Sequence, residues 1–363
     1  MIALKKQGYR VRNGVIQMPG NPTKDDYRRM NELAVAKRLE KSGPGVRPYE
    51  DDLLRHIADG SEVEPAKISP AIVEVLPETE YELLFRYASL HWSIPISSGY
   101  GRRLRFVIVD QNNGRLIGIL GLHDPVYSLQ ARDQWIGWNS SAKRERLYHV
   151  MDAYVLGAVP PYSYLLGGKL VAMLACSNEV RRAFRRKYAG SKSLIRKKVR
   201  PPYLVLLTTA SALGRSSIYN RIKVHGHQYW TSVGFTQGSG EFHFSNGVYE
   251  DFRAFVEENC EATAKHEAWG TGFRNKRELI GKGLSRLGLS ADLIYHGIHR
   301  EVFAAPLGRQ AVRFLRGEVS RPCFYDWPAA LLADRCMERW MYPRALRNDE
   351  YRTFLRQSYR LGQ

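Results

Sequence analysis

The sequence predicts an α/β (α+β) protein built on one mixed sheet, with a helical region before it and a basic, aromatic-rich region after it. Three observations predict this. Two β-rich segments, 104–109 and 116–122, flank Asp110-Gln111-Asn112-Asn113-Gly114, and an Asn-Gly turn between such segments signals a hairpin. Apolar strands then alternate with a buried helix from residue 150 to 235, the pattern of a sheet covered by helices. Finally, 363 residues are long for one core, and the composition shifts near residues 80 and 260. The expected regions are 1–80 (helical), 81–260 (mixed α/β core) and 261–363 (basic and aromatic-rich).

Residues 21–55 are polar with sparse apolar positions. Asp25 and Asp26 come early and Lys37, Arg38 and Lys41 late, as a helix dipole favours. Ser42-Gly43-Pro44-Gly45 divides the stretch into two helices, and prolines bracket a short strand at 72–76. Residues 80–90 have helical spacing. After the hairpin come a charged helix (140–149), a strand (150–156), a buried helix (164–176), a strand (203–208), a short helix (216–223) and a strand (229–235). Beyond Gly238, helices are expected at 250–259, 276–287 and 334–339, with one or two short strands in 292–303.

Apolar residues at 44% and charged ones at 25% exclude wholesale disorder. The most apolar stretch, 155–176, is broken by Pro160, Pro161, Gly167, Gly168 and Lys169, so no membrane span is expected. Cys176, Cys260, Cys323 and Cys336 form no C-x-x-C pair, which points away from zinc ribbons and disulfide frameworks. A soluble, cytoplasmic protein is the expectation.

Fifty-five Lys and Arg against 36 Asp and Glu leave a net charge of +19. Residues 181–200 hold ten of those cations and no acid: Arg181, Arg182, Arg185, Arg186, Lys187, Lys192, Arg196, Lys197, Lys198 and Arg200. Such density suits phosphate binding, with Phe184 and Tyr188 available for stacking or packing, and makes nucleic acid, DNA first, the expected partner. A solvated helix end is the plainer reading of the same run.

Gly167-Gly168-Lys169 is no P-loop, because Ser163 and Leu170 stand where Gly and Ser or Thr are needed. His225-Gly226-His227 reads as a hairpin turn rather than a metal site, and no metal or cofactor is assigned. Residues 91–103 combine His91 with Ser, Gly and Arg102, and 208–217 lead from a strand toward a helix through Ser211, Arg215 and Ser216. These five are the candidate ligand-binding residues, since amides, hydroxyls and guanidinium groups at strand ends hold anions. Tyr219, Glu241 and His243 are the candidate acid–base residues. All eight are expected to line one pocket, or else to be separate caps and surface pairs.

Long strings carry a resemblance to a family: LLFRYASLHWSIPISSGYGRRLRF, GLHDPVYSLQARDQWIGW, RERLYHVMDAYVLGAVPPYSYLLGGKLVAML, LTTASALGRSSIYNRIK, VGFTQGSGEFHFSNGVYEDFRAF, AKHEAWGTGFRNKRE and LIYHGIHREVF. With them the chain resembles the DruA family of the Druantia anti-phage defence systems. The resemblance implies a component of a bacterial defence locus whose partner is a very large helicase-like protein. The order of hairpin, strand, loop, helix, strand and Tyr219 is also similar to the acetyltransferase (GNAT) superfamily, its Mom-like branch in particular. That likeness implies a group-transfer fold with a Tyr as general acid, although Pro160-Pro161-Tyr162 replaces its glycine-spaced loop. Two functions follow: a nucleic-acid-binding defence component acting with a helicase, or a GNAT-like enzyme that modifies a base or nucleotide. A nuclease is not supported, for lack of a carboxylate-plus-Lys set.

Overall fold

The structure is a computed structural model that describes residues 5, 9–12, 15–17, 22–94, 96, 101–192, 199–238, 244, 248–261 and 273–362. It opens with a small ribbon, β1 (Arg10–Arg12) and β2 (Val15–Gln17), then helix α1 (Lys24–Ser42). Thr23 caps α1 in a box with Asp26, satisfying amides that have no partner inside the helix. The expected break at 43–45 is a 3-10 turn, and α2 (Glu50–Leu54) follows.

Strand β3 (Pro70–Glu74), helix α3 (Glu80–Leu90), and strands β4 (Arg103–Asp110) and β5 (Arg115–His123) come next. The hairpin expected across residues 110–114 is the β4–β5 pair, and Gly114 takes the positive φ its turn requires. Helices α4 (Gln130–Ile136) and α5 (Ser140–Arg146) lead to β6 (Val150–Ala158), α6 (Gly167–Leu174) and α7 (Asn178–Tyr188). Strand β7 (Leu206–Ala210) follows, and the helix expected at 216–223 is only a 3-10 turn, Tyr219–Arg221. A two-residue hairpin, β8 (Lys223–Val224) and β9 (His227–Gln228), turns at His225-Gly226, so that motif serves the turn. Strand β10 (Thr231–Phe235), helices α8 (Val248–Asn259) and α9 (Phe273–Arg286), and strand β11 (Glu301–Pro306) come before α10 (Ala311–Arg316) and α11 (Ala329–Cys336).

Seven strands form one mixed sheet in the order β10-β11-β7-β6-β5-β4-β3. Each neighbouring pair is antiparallel except β6 and β7. The sheet draws on all three regions read from the sequence, because β3 comes from the first and β11 from the third. Apolar alternation explains why both faces are covered. Leu104, Phe106, Leu120, Leu122 and Met151 pack on α6, α7 and α11, while Val107, Ile119 and Val155 pack under α3. Each such side chain contributes roughly 1.5–3 kcal/mol on burial. Trp230, fully buried, also donates its indole N–H to the Ala172 carbonyl at 2.9 Å.

The parallel pair is short. β6 and β7 register only over Val150–Asp152 and Leu206–Thr208, although β6 continues to Ala158. Past that point the Thr209 hydroxyl, rather than a backbone amide, donates to the Ala153 carbonyl at 2.8 Å. Among the described residues, no helix is long and apolar enough to cross a membrane.

Candidate functional site

Directly opposed residues on neighbouring strands share a face of the sheet. One row across β4, β5, β6 and β7 reads Arg103, His123, Asp152, Thr208. This polar row lies between two apolar clusters, one built on Val107, Ile119 and Val155, the other on Val150, Leu206 and Ala304. Asp152 Oδ1 accepts a hydrogen bond from the Thr208 hydroxyl at 2.7 Å, and Oδ2 lies 3.9 Å from His123 Nε2. The His123 ring stacks on Tyr154 with centroids 5.0 Å apart, and its Nδ1 meets the Asp124 carbonyl. A carbonyl can only accept, so Nδ1 carries the proton and Nε2 faces Asp152. Burial raises the Asp152 carboxyl above its ordinary value, opposed by His123, the Thr208 hydroxyl and Arg132. Yet 27% of the Asp152 side chain still reaches solvent, against 5% for His123.

The surroundings hold this row rigidly. Arg132, wholly buried, forks onto Asp133 at 2.6 and 2.8 Å and onto the carbonyls of Val126 and Tyr127. Asp124 takes the Arg102 amide at 3.0 Å and the Arg102 guanidinium at 2.6 and 2.8 Å. The guanidinium itself lies 4.1 Å over the Tyr148 ring and 5.1 Å from that of Phe184. Arg102 therefore fixes the residue that orients His123.

Tyr219 lies on the other side of the β6–β7 junction, between Phe303 at 4.9 Å and Trp230 at 5.5 Å. Burial pushes its phenol up to about 12, the Thr209 hydroxyl opposes this and the Asp152 charge adds to it, so Tyr219 stays neutral at pH 7. The residues flanking it in sequence help to line a cavity of about 550 Å³, bounded by Lys24, Arg215, Ser216, Arg221, Phe235 and Glu301, among others. Its floor, Glu301, accepts from the Ser216 amide at 3.2 Å, the Asn220 amide at 3.3 Å and the Ser232 hydroxyl at 2.7 Å.

The cationic run begins on α7. Its inward positions, Val180, Ala183, Phe184 and Tyr188, are buried, so the two aromatics pack rather than stack on a ligand. Tyr188 exchanges hydrogen bonds with the Arg103 backbone, both at 2.8 Å. Outward stand Arg182, Arg185, Arg186 and Lys187, with exposed Lys192 beyond. Arg182 pairs with Glu179 and Arg186 with Glu74, while no ion pair involves Arg185, Lys187 or Lys192 among the described residues. Arg181 and Arg200 do structural work. Arg181 lies 4.4 Å over Phe324 and donates to the Tyr325 carbonyl, and Arg200 pairs with Glu145 at 3.1 Å. Arg196, Lys197 and Lys198 lie outside the described residues.

Among the described residues, the other predicted ones do not form one pocket. Arg215 and Ser216 line the cavity, and Ser211 and Tyr219 are buried beside it. Ser216 also acts as a cap, its hydroxyl accepting from the Ile218 amide at 3.2 Å. Arg102 is taken up by Asp124. His91 stacks on Tyr359 at 3.8 Å, and burial lowers its imidazole to about 4. His91 and Arg102 are claimed by partners on other segments, Tyr359 and Asp124, which is why they scattered. Glu241 and His243 lie outside the described residues. His123 and Asp152 were missed, although a lone Asp inside Val-Met-Asp-Ala-Tyr is a signal: a carboxylate on a buried strand needs a partner.

Residues 21–317 match the family described as Druantia protein DruA. The chain is 40% identical over 341 residues to the Druantia protein DruA of Escherichia coli (strain UMEA 4076-1), covering 94% of this chain and 84% of that protein. No solved structure matches it.

Proposed function

The chain belongs to the Druantia protein DruA family and is a component of an anti-phage defence system, and on that premise we propose that its part in the system is to bind nucleic acid. The outward face of α7 carries this reading. Four cations, Arg182, Arg185, Arg186 and Lys187, project from a helix whose other face is anchored in the core. A fixed row of cations follows a phosphate backbone without reading bases, so little sequence preference is expected, as suits work beside a helicase-like partner. The four cysteines are free, which fits a reducing cytoplasm. DNA is the first ligand to test.

The test is a binding titration across a salt series. Replacing Arg182, Arg185, Arg186 and Lys187 by Ala should lower the slope of log K against log salt by about 2–4, since each phosphate contact contributes roughly 0.7–0.9. A slope near zero for the unaltered protein overturns the proposal.

A second reading, a GNAT-like group-transfer enzyme, is favoured by one observation. The sheet is antiparallel except at β6 and β7, which part after three residues, with a helix as the next element after β6. The turn into that helix is a poor phosphate cradle, however. The amides of residues 163–167 and 169 all donate to carbonyls within the turn, so they are not open to a pyrophosphate.

A further inference from the structure

We propose that Asp152, with His123 behind it, is a proton-transfer site whose substrate is a nucleotide unit bearing both an exchangeable N–H or O–H and a phosphate. The choice of a nucleotide rests on the nucleic-acid reading above, whereas the proton-transfer role does not.

Geometry carries the role. Asp152 is the partly exposed member of the pair, so it meets the substrate, while His123 is buried and held at Nδ1 by the Asp124 carbonyl. In the step, the substrate's N–H or O–H gives its proton to the Asp152 carboxylate, and the bonding pair stays on the substrate as a nucleophilic lone pair. The proton then passes to His123 Nε2, and the resulting imidazolium is stabilised at Nδ1–H by that carbonyl. Reversal returns the proton to the same substrate atom, and nothing is oxidised or reduced. The 3.9 Å separation is of the kind that tightens when substrate binds.

The groups facing the pair fit this chemistry and name the substrate. Arg132 of α4 and Thr208 of β7 face Asp152, and Tyr219, from the turn after β7, senses its charge. On the far side, Arg38 of α1 and Arg103 and Arg105 of β4 all act on Tyr154, the ring stacked on His123. Arg105 is paired with Glu82 at 3.3 Å. Guanidinium groups gathered beside an aromatic ring are a setting for a phosphate and its base.

The experiment uses Asp152→Asn and Asp152→Glu in the full chain, with cells that carry the whole defence system. Asp152→Asn should abolish protection in phage plating, since losing such a group slows a reaction by roughly 10²–10⁴-fold, and Asp152→Glu, which keeps a carboxylate, should restore part of it. Both should keep the melting temperature and the nucleic-acid affinity of the unaltered protein. Protection retained by a folded Asp152→Asn, or no recovery of protection in a folded Asp152→Glu, overturns the proposal. If protection is lost but the unaltered protein binds no DNA or RNA, the proton-transfer site stands and the nucleotide assignment falls.

Discussion

Two buried histidines give the protein a titration signature. Burial lowers His91 and His149 from about 6.5 to about 4, so both are neutral in the folded state at pH 7. Between pH 6.5 and 4 the unfolded chain binds protons that the folded chain does not, and stability falls as the pH falls through that window. Each group can remove up to about 3 kcal/mol by pH 4. His91 is the cleaner probe, because its buried Nε2 has no hydrogen-bond partner among the described residues and its ring lies flat on Tyr359. His91→Phe should keep the stack and titrate no longer. The drop in denaturant midpoint from pH 7.5 to pH 5 should be smaller in this variant than in the unaltered protein. Equal drops mean that His91 is protonated in the folded state. The residue illustrates where reading the sequence fell short. His91 beside Trp, Ser and Gly suggested a ligand, but the partner that claims it, Tyr359, is separated from it by most of the chain.

Among the elements, the β4–β5 hairpin and β6 were legible because apolar alternation and an Asn-Gly turn are local signals. The turn at 219–221 was not, since Asn220 within it and the Ser216 amide before it are held by Glu301 from a distant strand. Asp152 was equally hidden: its pairing with His123 depends on strand register, which periodicity does not specify. Contact between β5, β6 and α6 rests on Gly118. A methyl there would meet the Gly157 carbonyl oxygen at 2.5 Å and Val171 Cγ2 at 2.7 Å. Gly118→Ala should therefore destabilise by about 1–3 kcal/mol, read as a lower denaturant midpoint with an unchanged slope. An unaltered midpoint means that strand and helix separate more easily than their packing implies.

At the level of the whole molecule, the family match ends at residue 317, but the core does not. Trp327, Leu332, Cys336, Met341 and Tyr351 belong to the large cluster on the α6–α7 face, and Tyr359 to the cluster under α3. The Tyr87 hydroxyl donates to the Tyr359 carbonyl at 2.7 Å, and Arg356 pairs with Asp59 and Glu62. A chain cut after Gly317 should expose both faces of the sheet, giving a broadened or absent thermal transition and recovery in aggregates. A soluble, cooperatively melting fragment contradicts that. The same layout has a consequence in time. β7 ends at Ala210, yet its neighbour β11 begins only at Glu301 and then inserts between β7 and β10. During synthesis the edge of β7 waits unpaired while the intervening residues emerge, so the sheet closes late. A ribosome that stalls on this message before residue 301 leaves a sticky edge rather than a working half-protein.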